Sequence, residues 1–225
     1  MNTIKKLLSV TLCILLLTSM FVACNNNPKE PTEEPTEQST EQQSTEGLVY
    51  ELNEDGASYK VALYMGEETS VFIASTHDGK PVTLIGDYAF KNCPWIISVE
   101  IPASVTIIGK EAFMNCSLLK IMNIPDSVTS IGEGAFENCT SLLEVTLPNS
   151  ISRIESRTFY GCESLVSVTI PESVCMFYNY AFTGCHKLES IHYGGTKSQW
   201  KYMLKGAGMN TAKDCTVYCS DGEYK

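Results

Sequence analysis

Phenylalanine, cysteine, proline and serine recur at one interval of 23 residues through the middle of this chain. The aromatic and thiol columns are Phe90, Phe113, Phe136, Phe159 and Phe182, and Cys93, Cys116, Cys139, Cys162 and Cys185. An Ile–Pro or Leu–Pro pair and a serine keep the same phase, at Ile101, Ile124, Leu147 and Ile170 and at Ser104, Ser127, Ser150 and Ser173. A unit this small cannot bury its own apolar face, so we expect stacked units that share one core.

Each unit divides into two parts. Apolar residues alternate around Val145–Leu147, which predicts a short strand, and the proline that follows ends strand pairing. The segment Gly132–Cys139 has the spacing of one or two helical turns. The prediction is therefore an α/β solenoid of five 23-residue units, with a parallel sheet on one face and short helical turns on the other.

The unit Ile-Pro-x-Ser-Val-Thr-x-Ile-Gly-x-x-Ala-Phe-x-x-Cys-x-x-Leu-x-x-Val-x resembles the BspA-like class of bacterial leucine-rich repeat. Units 101–123 and 124–146 match almost throughout, whereas unit 147–169 has Glu155 and Thr158 where the pattern has Gly and Ala. Unit 170–192 is degenerate at Cys175–Tyr178. The resemblance implies a right-handed leucine-rich repeat over residues 73–192.

The ends of the repeat region are expected to be caps, because a solenoid needs them. Residues 48–72 are interpreted as an N-terminal hairpin cap, with strands Leu48–Leu52 and Ser58–Tyr64. The first unit, 73–100, has about five additional residues, with a turn predicted at His77–Lys80. In the C-terminal cap, 193–225, Thr196 is predicted to start a helix. That helix would bury Trp200, Met203 and Leu204 and end at Gly206, before a closing strand at Thr216–Tyr218.

Residues 1–23 have the pattern of a cleaved secretion signal, with Lys5 and Lys6 before an uncharged apolar stretch. An uncleaved membrane helix is the alternative, although the stretch is near the lower length limit for a span. The segment Phe21-Val22-Ala23-Cys24 resembles the lipobox of bacterial lipoproteins, with Phe21 where Leu is usual. That resemblance implies lipidation of Cys24, and cleavage without a lipid stays open.

An acidic linker is predicted for residues 24–47, which contain six Glu, one Lys and no large apolar residue. Such a segment cannot offset the entropy cost of ordering. The whole chain carries a net charge of −10 and has no basic cluster. This excludes nucleic acid as a partner, because phosphate contacts need clustered Lys and Arg. A membrane is therefore expected as a partner only through the lipid anchor.

The five ladder cysteines are expected to be buried, reduced thiols, because parallel Cβ vectors on stacked turns suit a disulfide poorly. Cys215 and Cys219 would share a strand face but lie too far apart to bond directly. A metal site formed by His186, His192, Cys215 and Cys219 and a Cys185–His186 nucleophile dyad are the alternatives. Neither spacing is typical of such a site, so we expect no metal, no cofactor and no catalytic residue.

Binding residues are predicted on the outward face of the sheet. Two outward columns follow from the interval, namely Ser98, Ile121, Glu144, Ser167 and Ser190, and Glu100, Asn123, Thr146, Thr169 and His192. A flanking column is Ile97, Lys120, Leu143, Val166 and Glu189. A contiguous exposed apolar patch there would indicate a protein partner. The alternative is that Ile97, Leu143 and Val166 belong partly to the core.

By resemblance, the function is binding or adhesion without catalysis at a bacterial cell surface, with a protein ligand on a host matrix or on another bacterium. One alternative is an envelope scaffold that binds a bacterial partner. The other is a hydrolase or a thiol- or metal-dependent protein with an unrecognised site. The sequence contains no G-x-S-x-G, P-loop, dinucleotide fingerprint or H-E-x-x-H motif that would favour the latter.

Overall fold

The computed structural model describes residues 44–206 and 215–224. The predicted signal peptide, Cys24 and nearly all of the predicted linker lie outside the described residues. Within them, the elements in chain order are β1 (Leu48–Leu52), β2 (Tyr59–Tyr64), β3 (Ser70–Phe72), β4 (Thr76–His77), β5 (Lys80–Ile85), β6 (Ser98–Glu100), β7 (Ile107–Ile108), β8 (Ile121–Asn123), β9 (Ser130–Ile131), β10 (Glu144–Thr146), β11 (Arg153–Ile154), β12 (Ser167–Ile170), β13 (Met176–Phe177), β14 (Ser190–Tyr193), α1 (Lys197–Gly206), β15 (Thr216–Cys219) and β16 (Gly222–Tyr224).

Two columns of short parallel strands run along the solenoid. The first ladder consists of β3, β6, β8, β10, β12, β14 and β15, and the second ladder of β2, β5, β7, β9, β11 and β13. Neighbouring strands pair residues 23 apart, as in Ser98 with Ile121 and Ser167 with Ser190. The fold is therefore a parallel-sheet solenoid in which the sequence interval is also the pairing register, as predicted.

The turn segments between the two ladders are not helical. Residues such as Glu111 and Arg157 have positive φ values of 49° and 58°, which interrupt any helix. Asn92, Asn115 and Asn138 occupy a second left-handed column. The side chain of Asn115 donates to Asn92 at 2.7 Å and accepts from Asn138 at 2.9 Å. The segment predicted as helical turns is thus a series of hydrogen-bonded turns, joined between units by this asparagine ladder.

The core of the solenoid is a column of stacked aromatic rings. The five phenylalanines of the repeat are buried and nearly parallel, with centroids 4.9 to 5.5 Å apart and interplanar angles of 2° to 12°. Tyr64 extends the column at the N-terminal end, 5.4 Å from Phe90. At the other end Phe177 contacts both Phe182 and Trp200. Each ring covers the next, which explains why a single small unit needs its neighbours.

The N-terminal end contains two hairpins. Strands β1 and β2 pair antiparallel, and the Asp55 carboxylate accepts the backbone N–H groups of Ala57 and Ser58 in the connecting turn. Strands β4 and β5 form the second hairpin, with positive φ at Asp78 (47°) and Gly79 (70°), as in a tight two-residue turn. This second hairpin accommodates the additional residues of the first unit, because Ser70 pairs with Ser98 across 28 residues.

The C-terminal end is covered by α1 and a terminal hairpin. Thr196 Oγ1 accepts the N–H of Gln199 at 3.3 Å, and Gln199 Oε1 accepts the N–H of Thr196 at 2.6 Å, a reciprocal helix cap. Trp200 and Met203 are buried, as predicted. Strand β15 extends the first ladder, and β16 pairs back onto it. The division of the chain into signal, linker, caps and repeats remains a prediction.

Candidate binding face

The predicted outward columns are in register on the first ladder. Their pairs are Ser98 with Ile121, Glu144 with Ser167, Ser167 with Ser190, Glu100 with Asn123, Thr146 with Thr169 and Thr169 with His192. Strand pairing adds Ser70 and Thr216 to the first column and Phe72 and Tyr218 to the second. Small hydroxyl groups contact each other along the first column, for example Ser190 Oγ to Ser167 Oγ at 3.1 Å. The structure therefore brings both columns together on one face.

The flanking column lies at the edge of this face. Ile97 and Leu143 are 36% and 49% exposed, whereas Val166 is half-buried. Lys120 and Glu189 are exposed. Ile97 and Leu143 therefore belong to the surface, and Val166 belongs partly to the core.

An exposed apolar patch covers three successive turns at this edge. We call it the edge patch, and its members are Trp95, Ile97, Leu118, Ile121 and Leu143. Ile121 is the most exposed of them, at 67%. Trp95 and Leu118 were missed by sequence reasoning. Their 23-residue separation was a usable signal, but each adjoins a core residue, Ile96 or Leu119, and burial alone separates the two kinds of position.

Charged and aromatic side chains also lie on this face. Glu100, Glu144 and Glu189 are exposed along the columns. The second column ends on Tyr218, whose ring stacks on His192 with centroids 5.1 Å apart and an interplanar angle of 12°. The C-terminal end of the second column thus presents a stacked pair of aromatic rings.

The ladder cysteines are buried donors. The Sγ atoms of Cys116, Cys139, Cys162 and Cys185 each lie 3.1 to 3.2 Å from a phenylalanine carbonyl oxygen 26 residues earlier. Burial raises the pKa of Cys116 and Cys185 to about 12, and it raises the pKa of Cys139 and Cys162 well above the ordinary value. The expectation of buried, unpaired thiols is confirmed for these four and for Cys93. Their side chains are unsuited to thiolate chemistry, because the neutral form is strongly favoured.

The alternative catalytic and metal constellations are not assembled. Cys185 is buried and donates to Phe159, whereas His186 is exposed, so the two side chains point to different surroundings. Cys215 and Cys219 are half-buried and unpaired, and burial raises the pKa of Cys215 to about 11. Among residues 44–206 and 215–224, no three His, Cys, Asp or Glu side chains are placed to hold a metal ion.

Two further findings come from the described part of the chain and from known proteins. No helix in residues 44–206 or 215–224 has the length and apolar character needed to span a membrane. A search of curated proteins found no match to this sequence.

Known structures with the same architecture were found. The crystal structure of a T. pallidum leucine-rich repeat protein matches with 34% identity and a TM-score of 0.63, over 65% of this chain and 68% of that one. A leucine-rich cell surface protein from Faecalibacterium prausnitzii matches with 33% identity and a TM-score of 0.64, over 71% of this chain and 41% of that one. Parallel ladders, a shared aromatic core and these neighbours define a leucine-rich repeat solenoid.

A family model identifies the repeat more closely. Residues 83–204 match the BspA type leucine rich repeat region in six copies. The chain belongs to this family. The predicted count of five units over residues 73–192 remains a prediction, since the family model places six copies over residues 83–204.

Proposed function

We propose that this protein is a lipid-anchored protein of the bacterial cell surface that binds a protein ligand through the first ladder, without catalysis. The observation that carries the proposal is the edge patch, since large apolar side chains of three successive turns are exposed within and beside the two largely polar columns. Contiguous exposed apolar surface is typical of protein interaction sites. The F. prausnitzii neighbour, described as a cell surface protein, supports the location.

The mechanism is surface complementarity. Seven strands of the first ladder, at about 4.8 Å per strand, present a face about 29 Å long. Ile121, Leu143 and Trp95 would be the apolar anchors, and the serine and threonine columns would supply hydrogen bonds at the rim. A face of this size gives modest affinity for one copy, so many copies on one cell would act together.

Lipidation of Cys24 would hold the domain at the envelope, and the acidic residues 24–47 would separate it from the membrane. Acyl chains contribute about 0.8 kcal/mol per buried CH₂. The test is metabolic labelling with a radioactive fatty acid in the wild type and in Cys24→Ser. We expect label and membrane association in the wild type only. Label in the variant, or none in the wild type, would reject the anchor.

The binding proposal is tested by a screen of the mature chain, displayed multivalently, against matrix proteins, mucin, glycans and whole bacterial cells. The informative variant carries Ile121→Glu and Leu143→Glu. We expect at least a tenfold loss of the binding signal, because two charges would have to be desolvated at the apolar anchors. The thermal midpoint should stay unchanged, because both side chains are exposed.

The matched control carries Ile107→Glu and Met176→Glu, which change side chains 37% and 47% exposed on the second ladder. This control should bind like the wild type. Equal losses in both variants would show a nonspecific charge effect, and loss only in the control would move the site to the second ladder. A signal confined to bacterial cells would favour the envelope-scaffold alternative.

A further inference from the structure

Both ladders are interrupted between the same two turns. The first ladder divides into β3–β6–β8 and a separate sheet that starts at β10, and the second divides between β9 and β11. Strands β8 and β9 belong to one turn of the solenoid, and β10 and β11 belong to the next. The interruption is therefore a single level of the solenoid, which we call the break.

Three backbone hydrogen bonds that other levels make are missing from the described residues at the break. At the level between β12 and β14, the N–H of Glu189 donates to the Val166 carbonyl at 3.0 Å. Along the second ladder, Cys175 donates to Ser152 at 3.0 Å and Tyr178 donates to Ile154 at 2.9 Å. The counterparts that are not formed would run from the N–H groups of Leu143, Ser152 and Glu155 to the carbonyls of Lys120, Thr129 and Ile131.

The turn column remains continuous across the break. The N–H groups of Gly134, Phe136 and Asn138 donate to the next turn at 2.9, 2.9 and 2.7 Å. The rings of Phe136 and Phe159 stay stacked at 5.5 Å. The two sides are thus joined by hydrogen bonds along the turn column and in the core by ring stacking. At the corner between the ladders the Ser150 hydroxyl donates to the Asp126 carbonyl oxygen at 3.0 Å and the Asn149 N–H donates to the Asp126 carboxylate at 3.3 Å. The two strand faces lack the three backbone bonds named above.

A change in one residue column coincides with the break. Gly109 and Gly132 lie so close to the preceding turn that a Cβ on either would be 2.6 Å from a backbone nitrogen. The next member of this column is Glu155, whose Cβ cannot occupy that position. Tyr178, which follows, also carries a Cβ, and its turn pairs normally with the turn of Glu155. The break therefore separates turns whose member of this column is glycine from turns whose member carries a Cβ.

We propose that the solenoid is articulated at the break. An N-terminal block that ends at β9 and a C-terminal block that begins at β10 open and close about the turn column at Gly134–Asn138. The core remains covered in the structure, since Met122 and Val145 are 6% and 3% exposed on either side. Opening therefore separates the strand faces, where those backbone bonds are already lacking, breaks the exposed bonds of Asn149 and Ser150 to Asp126, and leaves the ring stack in place.

The edge patch lies across this articulation. Ile121 belongs to the N-terminal side of the break and Leu143 to the C-terminal side. A partner that contacts both side chains would hold the two blocks at one angle. The articulation does not depend on that partner and can be measured on the free protein.

The test is NMR-detected amide hydrogen exchange on the mature chain without ligand. Amides at Leu143, Ser152 and Glu155 should exchange at least tenfold faster than their counterparts Glu189, Cys175 and Tyr178, after correction for intrinsic rates. Equal protection at the two sets of positions would overturn the proposal.

Two variants test the cause. Glu155→Gly restores the glycine column, so protection at Ser152 and residue 155 should rise towards that of Cys175 and Tyr178. Glu155→Ala is the matched control, because it also removes the ion pair with Arg153 Nε at 2.5 Å but keeps a Cβ. Its exchange should stay as fast as in the wild type. Protection that rises equally in both variants would show that the ion pair, and not the Cβ, opens the break.

Discussion

The Sγ of Cys139 lies 3.2 Å from the carbonyl oxygen of Phe113, one turn earlier in the solenoid, and donates its proton to that oxygen. The same carbonyl also accepts the backbone N–H of Cys116 at 3.1 Å. Each interior cysteine therefore fills a small apolar space and ties its turn to the preceding one. Sulfur is a weak donor, so the contribution of the packing exceeds that of the hydrogen bond.

Replacing Cys139 by alanine should destabilise the protein by about 1–2 kcal/mol, because the change leaves a small cavity and removes one link between turns. Urea denaturation monitored by circular dichroism measures this effect. Cys175→Ala is the matched control, because Cys175 is exposed, and it should change stability by less than about 0.5 kcal/mol. Equal effects in both variants would contradict the structural role of the ladder.

Thiol reactivity should follow burial. At about pH 8, iodoacetamide should modify Cys175 in the folded protein and leave Cys116 and Cys139 unmodified, because alkylation needs an accessible thiolate. Peptide mass spectrometry after quenching identifies the modified positions. Addition of urea should expose every ladder cysteine to the reagent. Rapid labelling of Cys139 in the folded state would be incompatible with the observed packing.

Stability should fall at high pH. The pKa of Cys116 and Cys185 is raised by burial from 9.0 to about 12, so folding favours the protonated thiol. This contribution is fully present below pH 9 and is lost as the pH rises towards 12. Urea midpoints measured across that range should decline, and the decline should be shallower in a Cys116→Val, Cys185→Val variant. An identical slope would assign the effect to other groups.

The stability that the asparagine ladder contributes should depend both on its side-chain hydrogen bonds and on its left-handed backbone conformation. Asn115→Ala removes two side-chain hydrogen bonds and puts alanine, which tolerates the left-handed region less well than asparagine, at φ 63°, so a loss of about 1–2 kcal/mol is expected. Asn115→Gly also removes the bonds but accepts the left-handed conformation, as Gly161 does at the equivalent place. Thermal denaturation should rank the wild type first, then Gly, then Ala. Equal stability of the two variants would show that the tolerance of residue 115 for the left-handed backbone conformation contributes little to stability.

Trp200 should be essential to the C-terminal end. Its side chain is 1% exposed and contacts the rings of Phe177 and Tyr193 at 5.3 and 5.4 Å. Trp200→Ala should therefore cost about 3–5 kcal/mol. Tyr202 is 76% exposed on α1, so Tyr202→Ala should change the free energy of unfolding by less than about 0.5 kcal/mol. A small effect at Trp200 in urea denaturation would mean that α1 does not cover the core.

Much of the fold was predictable because each unit repeats the same local chemistry. The phase of Phe113 and Cys116 identified the core, and the Asp78–Gly79 turn and the Thr196 cap follow from local hydrogen bonding and φ preferences. The turn segments were harder to predict. Their apolar spacing fits a helical turn, but left-handed residues such as Glu111 give tight turns whose bonds run between units.

The strand register of the candidate site was predictable, but the exposure of its individual side chains was less so. Ile121 follows from strand alternation, but Leu118 and Leu119 are adjacent apolar residues, and only the path of the turn makes one exposed and the other buried. The thiol donors were also hidden, because a buried cysteine and a buried valine produce the same sequence pattern.

The amino-acid sequence by itself determined the interval, the core columns and the faces of the strands, because side-chain direction in a repeated unit depends on position within that unit. Only the tertiary structure decided how closely one turn lies on the next. The interruption of both ladders between the turn of Gly132 and the turn of Glu155 involves residues that are distant in the sequence. Gly109 and Gly132 lie so close to the preceding turn that a Cβ on either would be 2.6 Å from a backbone nitrogen, and local sequence patterns do not specify such contacts between turns.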